Sequence, residues 1–142
     1  MPLWKVYYTE GAYTVEDKQE FAERITGLYT KYDLPAFYVN VMFHELPADT
    51  FYVGGHEARG YIRIWVDHIA RRIPDEMSRW WMEQVNELIA PFTMERGHRW
   101  ELHIDNTPIE LWTIDGFYPP PAGSDDEKRW ARENRPSHSE AS

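Results

Sequence analysis

The chain passes through the same order of elements twice, and that repetition limits its possible folds more than any other feature. A strand over Leu3-Trp4-Lys5-Val6-Tyr7-Tyr8-Thr9 leads to a helix, a second strand and a proline, Pro47. The order recurs as a strand over Tyr61-Ile62-Arg63-Ile64-Trp65-Val66-Asp67, a helix from Pro74 to about Ile89, a strand from His98 to Ile104 and a proline, Pro108. The first strands of the two units begin about sixty residues apart, the mark of an internal duplication.

Each element has a local reason. Thr14-Val15-Glu16-Asp17 offers a threonine N-cap with an acid three residues on. Phe21, Ala22, Ile25, Leu28, Tyr29 and Tyr32 then recur at the spacing of one helical face, and the helix stops before Asp33-Leu34-Pro35. Phe37 to His44 alternates as a strand, with Val39, Val41 and Phe43 on one side. Phe51-Tyr52-Val53 is a short strand running into Gly54-Gly55, a pair that permits positive φ. In the second helix Pro74 suits the first helical position, Asp75 and Glu76 suit the first turn, and Met77, Trp81, Val85, Leu88 and Phe92 supply the buried stripe.

Two strand-helix-strand units with right-handed crossovers place both helices on one face of a shared sheet. The expected class is therefore α/β, a two-layer α+β sandwich over residues 1–122 with repeats at about 2–58 and 60–108. Residues 123–142 read as a polar tail with a short helix, opened by the cap Ser124-Asp125-Asp126-Glu127 and anchored by Trp130, and with Asn134 to Ser142 disordered. Nothing in the chain covers the other sheet face, which the alternation assigns Trp4, Val6 and Tyr8; identical subunits are expected to bury it against one another. Tyr118-Pro119-Pro120-Pro121 is stiff and extended and is expected to lie across a neighbour.

Composition excludes several functions. With 24 acidic against 15 basic residues the formal charge is -9, which repels phosphate backbones, so nucleic acid is not an expected partner. No apolar run approaches the roughly 20 residues that span a bilayer and no secretory leader opens the chain, so a cytoplasmic protein without membrane contact is expected. There is no cysteine, no HExxH and no paired histidine spacing, so neither a metal nor another cofactor is expected. No nucleophile elbow for a serine hydrolase is present either.

Pro2 directly precedes the first strand. If Met1 is removed, its nitrogen is a secondary amine able to act as base or acid; with Met1 attached it is a tertiary amide that can do neither.

An N-terminal proline on a strand, a duplicated β-α-β unit and a length near 140 together resemble the tautomerase superfamily, within it the cis-3-chloroacrylic acid dehalogenase group. The matching segments run from Pro2 to about Pro121: Pro2 to Tyr8, Ala22-Glu23-Arg24-Ile25-Thr26, Phe51-Tyr52-Val53-Gly54-Gly55, the strand ending at Val66 with Arg71 after it, Trp100, and Gly116-Phe117-Tyr118-Pro119-Pro120. The resemblance implies Pro2 as the catalytic group, a homotrimer of fused subunits, and a small anionic carboxylate as substrate. It places Arg71 on a substrate-binding arginine, with Arg72 beside it. The pattern's second arginine falls on Pro74, its helix-one histidine on Tyr29, its strand tyrosine on Leu102 or His103, and its water-activating glutamate on Ile114, next to Asp115.

Tautomerising a 2-oxo or 2-hydroxy unsaturated acid requires a base matched to neutral pH and a cation near the oxygens. An apolar site and neighbouring guanidinium groups both favour the neutral amine, so Pro2 is the expected base. Arg71 and Arg72 either fork a substrate carboxylate or answer Asp67, Asp75 and Glu76. Tyr29 and His103 either donate to the enolate oxygen or serve as a core residue and a solvated one. The alternatives are a dehalogenase-like hydratase with cationic Pro2 as general acid and Asp115 as base, and an oligomeric binding protein whose site has decayed.

Overall fold

The computed structural model describes residues 1–139. Its main sheet has the order β2-β1-β5-β6, built from β1 (Pro2–Thr9), β2 (Asn40–Leu46), β5 (Tyr61–Ile69) and β6 (Arg99–Thr107). β1 runs parallel to β2 and β5 parallel to β6, while the central β1–β5 pair is antiparallel. The fold is thus two β-α-β units joined back to back, with α1 (Val15–Thr30) and α2 (Ser78–Ile89) on one face. A hairpin of β3 (Tyr52–Val53) and β4 (His56–Glu57) turns at Gly54 and Gly55, whose φ values of 60° and 83° are those that glycine adopts without a side-chain clash.

Thr14 caps α1 in both directions: its hydroxyl accepts from Asp17 N, and the Asp17 carboxylate accepts from Thr14 N. Asp17 also receives both ends of the Arg96 guanidinium at 3.0 and 2.9 Å, tying the start of α1 to the turn after α2. Two element boundaries lie later than the sequence indicates, each after a proline whose extended backbone delays regular structure. Ala36–Tyr38 form a 3-10 turn after Pro35, so β2 begins at Asn40. Asp75–Met77 form another after Pro74, so α2 begins at Ser78 and Met77 is exposed instead of joining the buried stripe.

Trp4, Val6, Tyr8, Ile62, Ile64 and Val66 are almost wholly buried and point into the helix layer, against Phe21, Ile25, Leu28, Val85 and Ile89. This corrects the sequence assignment of Trp4, Val6 and Tyr8 to the uncovered face. That face instead carries the opposite parity, including Lys5, Met42, Arg63, Trp65, Glu101 and Asp105. The parity follows from the period of two: the bulkiest alternating set goes where the helices can exclude water from it.

The C-terminal segment is more structured than its composition indicates. Helix α3 (Asp125–Glu133) buries Trp130 against Met1 and Tyr38. Asn134 accepts from Phe37 N, and the Ser137 carbonyl accepts from the Trp130 and Arg129 side chains, so residues 134–139 are fastened to the body instead of disordered. The expected disorder of residues 140–142 lies outside the described residues. No helix among the described residues is long and apolar enough to cross a membrane.

Candidate active site

The antiparallel register of the two central strands sets Pro2 directly opposite His68. Cβ atoms of such cross-strand partners lie about 4.5–5.5 Å apart on one face of the sheet. Both side chains point into the helix layer, because they share parity with Trp4 and Val66. The C-terminal end of α1 brings Tyr29 to this corner, and the N-terminal end of α2 brings Trp81.

Ahead of Pro2, Met1 is 5% exposed and its carbonyl accepts from Ile69 N. It borders a cavity of about 240 Å³ together with Tyr29, His68, Arg71, Arg72 and Trp81. The remaining wall is mainly apolar, formed by Leu34, Ile73, Met77 and Trp80 among others. In this form the Pro2 nitrogen is an amide and the free amine belongs to Met1. Burial, and then the positive charge of Arg71, lower that amine to about 5, while the negative charge of Glu127 acts in the opposite sense. A positive charge at this corner is therefore disfavoured.

Arg71 donates to Glu127 at 2.9 Å, a carboxylate on α3 that is 5% exposed and also accepts from Gly123 N at 3.0 Å. The expected cap of α3 is only half made: Ser124 Oγ accepts from Glu127 N, but the Glu127 carboxylate turns to Arg71 and Gly123. Arg72 points outward to Asp75, an exposed pair of little energetic weight.

Tyr29 combines the two roles open to it in the sequence. It is buried on the helical stripe, and its hydroxyl is placed between Trp4 Nε1 at 3.0 Å and His68 Nε2 at 2.8 Å. Burial raises the Tyr29 phenol well above its usual range, so it remains protonated. His68 is held neutral: burial and the neighbouring amine lower it to about 4.

His103 does not join this group. It lies on the open sheet face beside Trp65, with Nδ1 bonded to Arg63 and Nε2 3.4 Å from Asp105, so the sheet separates it from Pro2. Leu102 faces the helices as part of the core. Asp115 is exposed at the turn joining Ile114 to Phe117 and borders none of the cavities around Met1. The structure thus brings together Pro2, Tyr29, Arg71 and Arg72 and leaves out His103 and Asp115. His68 and Glu127 are the members that sequence reasoning missed. His68 had a signal, since it shares parity with Ile62, Ile64 and Val66; Glu127 had none beyond its place in a helix cap. Among the described residues no group of three or more His, Asp or Glu side chains is arranged to hold a metal ion.

Comparison with known proteins adds the lineage. The sequence profile described as "Putative oxalocrotonate tautomerase enzyme" matches residues 1–135. Native RhCC from Rhodococcus jostii RHA1 superposes with a TM-score of 0.91 at 46% identity, covering 96% of this chain and 99% of that one. A probable enzyme from the thermophilic fungus Aspergillus fumigatus superposes with a TM-score of 0.91 at 37% identity, covering 97% of each chain. N1, a member of the cis-3-chloroacrylic acid dehalogenase family, shares the fold at a TM-score of 0.72 and 24% identity over 89% of this chain and 88% of that one. No curated protein sequence matches the chain.

Proposed function

The chain belongs to the putative oxalocrotonate tautomerase family, and from that premise we propose that it is a cofactor-independent tautomerase of small 2-oxo or 2-hydroxy unsaturated carboxylates with Pro2 as general base. One observation carries the reading: the chain start is buried at an apolar cavity that also holds Arg71 and Arg72.

Loss of Met1 turns the Pro2 nitrogen into a secondary amine beside the space Met1 leaves. An α-amino group ordinarily titrates near 7.7–8.0. The surroundings that disfavour charge on the Met1 amine act on this nitrogen as well, so neutral Pro2 is available at pH 7. Arg71, while still paired with Glu127, and Arg72, on giving up its exposed contact with Asp75, hold the substrate carboxylate. Pro2 takes the proton of the enol hydroxyl and returns it to a carbon of the conjugated chain, so that an O–H bond breaks, a C–H bond forms and no proton is gained or lost.

Tautomerisation needs no activated water. Hydration or dehalogenation does, and Asp115, the carboxylate it would recruit, faces solvent on this chain. That contrast favours the tautomerase reading. The assembly proposed with it is a homotrimer, in which the open sheet face is covered.

The test has two parts. Intact mass should show loss of Met1, and Pro2→Ala should abolish ketonisation of phenylenolpyruvate and 2-hydroxymuconate while leaving the melting temperature in place. Unchanged turnover by Pro2→Ala refutes the assignment. Light scattering should give three chains per particle.

A further inference from the structure

We propose that His68 is a catalytic residue of this site, a neutral imidazole whose Nδ1–H donates a hydrogen bond to the substrate oxygen on which enolate charge develops. The proposal rests on the tautomerase reading and names a group that reading does not require.

The proton position follows from the hydrogen-bond inventory. An indole N–H can only donate, so Tyr29 Oη accepts from Trp4 Nε1. The Tyr29 hydroxyl proton is then directed to the other neighbour, His68 Nε2, at 2.8 Å. An Nε2 that accepts leaves the proton of the neutral ring on Nδ1. Nδ1 has no hydrogen-bond partner among the described residues, and His68, though only 3% exposed, also borders a second cavity of about 280 Å³ with Arg72 and Asp75. A second donor in the same wall is also unmet: the buried indole N–H of Trp81, whose ring meets His68 edge-on at a centroid distance of 5.6 Å. Buried donors without acceptors are rare, and the Trp81 indole N–H, set beside the unpartnered Nδ1 of the residue opposite Pro2, marks a place for an oxygen atom.

Neutrality is part of the design. The ring shares its first cavity with the chain's amine, Arg71 and Arg72 and with no carboxylate, and the one carboxylate lining its second cavity, Asp75, is paired with Arg72. A neutral imidazole is a weaker acid than imidazolium, so it stabilises an enolate without surrendering its proton, as in sites where a histidine is kept uncharged to polarise a carbonyl. His68 keeps its Nδ1 proton throughout, and Pro2 alone carries the transferred one.

In ¹⁵N-labelled protein freed of Met1, long-range ¹H–¹⁵N correlations should show His68 with its proton on Nδ1 and uncharged from pH 5 to 8. His68→Leu should lower kcat for phenylenolpyruvate by about 10²-fold, the size of removing one oxyanion donor, with KM changed far less. His68→Asn, which restores an N–H, should recover part of the loss. An Nε2–H tautomer or an imidazolium at pH 7 overturns the proposal, and the wild-type spectrum decides this even if a variant fails to fold. Full activity of His68→Leu alongside an inactive Pro2→Ala also overturns it and leaves the tautomerase reading standing. Full activity of Pro2→Ala removes both.

Discussion

The two ends of the central strand pair are built from the same duplicated unit, yet they are finished differently. At one end β1 begins, and Met1, His68, Tyr29 and Trp81 line open space next to Pro2. At the other β5 begins; a cavity of about 270 Å³ runs along Thr9, Gly60 and His98 there, but the core beside it is filled by aromatic rings. Tyr13 packs edge-on against Tyr8, Phe21 and Phe92, Phe21 stacks on Phe92 at 4.4 Å, and the Tyr13 hydroxyl closes on the Phe92 carbonyl at 2.6 Å. The chain passes through this end, so the nitrogen ahead of β5, that of Gly60, is an amide that donates to Thr9 Oγ1. A duplication produces two equivalent corners, but a chain has one start. Only the first corner can hold an amine, and the second is released to serve packing.

If that division is right, damage at the filled end should cost stability and spare chemistry. Phe21→Ala removes a ring that is 1% exposed and stacked on another. The expected loss is about 3–5 kcal/mol, read from urea unfolding, with kcat of the folded fraction unchanged. A fall in kcat below the folded fraction would show that the two ends are coupled.

The same division explains what the sequence revealed. The duplication was legible because helices and strands write their periods into the order of apolar residues, as Phe21, Ile25 and Leu28 do on α1. The candidate site was legible only in part: Pro2 by its place in the chain, Arg71 by the family pattern it matches. Of the two roles the sequence leaves open for His103, the structure takes the one away from the core. Leu102 and Ile104 flank it and pack on the core, so the period of two sends His103 to the opposite face. The burial of Trp4, Val6 and Tyr8 was misassigned for a related reason, since alternation names two faces without saying which one the helices cover. Glu127 was illegible in kind. Its contact with Arg71 joins residues 56 positions apart through the docking of α3, which no local pattern encodes.

Glu127 sharpens the comparison at the open end. Its charge opposes the effect of Arg71 on the amine at the chain start. Glu127→Gln should therefore move the acid limb of the kcat/KM profile to lower pH, and Arg71→Gln should move it to higher pH. A substitution that only loosened α3 would lower activity without displacing the limb, so the direction of movement separates an electrostatic role from a structural one.

The smallest expected effect belongs to the cap that steadies the filled end. Thr14→Ala removes an N-cap hydroxyl and should cost about 1 kcal/mol. Its partner Asp17 adds a pH dependence whose sign can be worked out. Hydrogen bonds from Arg96, then from Thr14, hold the Asp17 carboxyl well below its ordinary value of 3.8. A carboxyl depressed in the folded state contributes stability that is fully present above the unfolded value and is lost as pH falls below it. Urea midpoints of wild type and Asp17→Asn should therefore differ at pH 7 and converge as the pH drops below about 4. Because Asp17 lies at the end without an amine, the same substitution should leave the acid limb of kcat/KM where it was. A shift of that limb would mean that the filled corner and the open one share an electrostatic field, and that the duplication divides their labour less completely than their packing indicates.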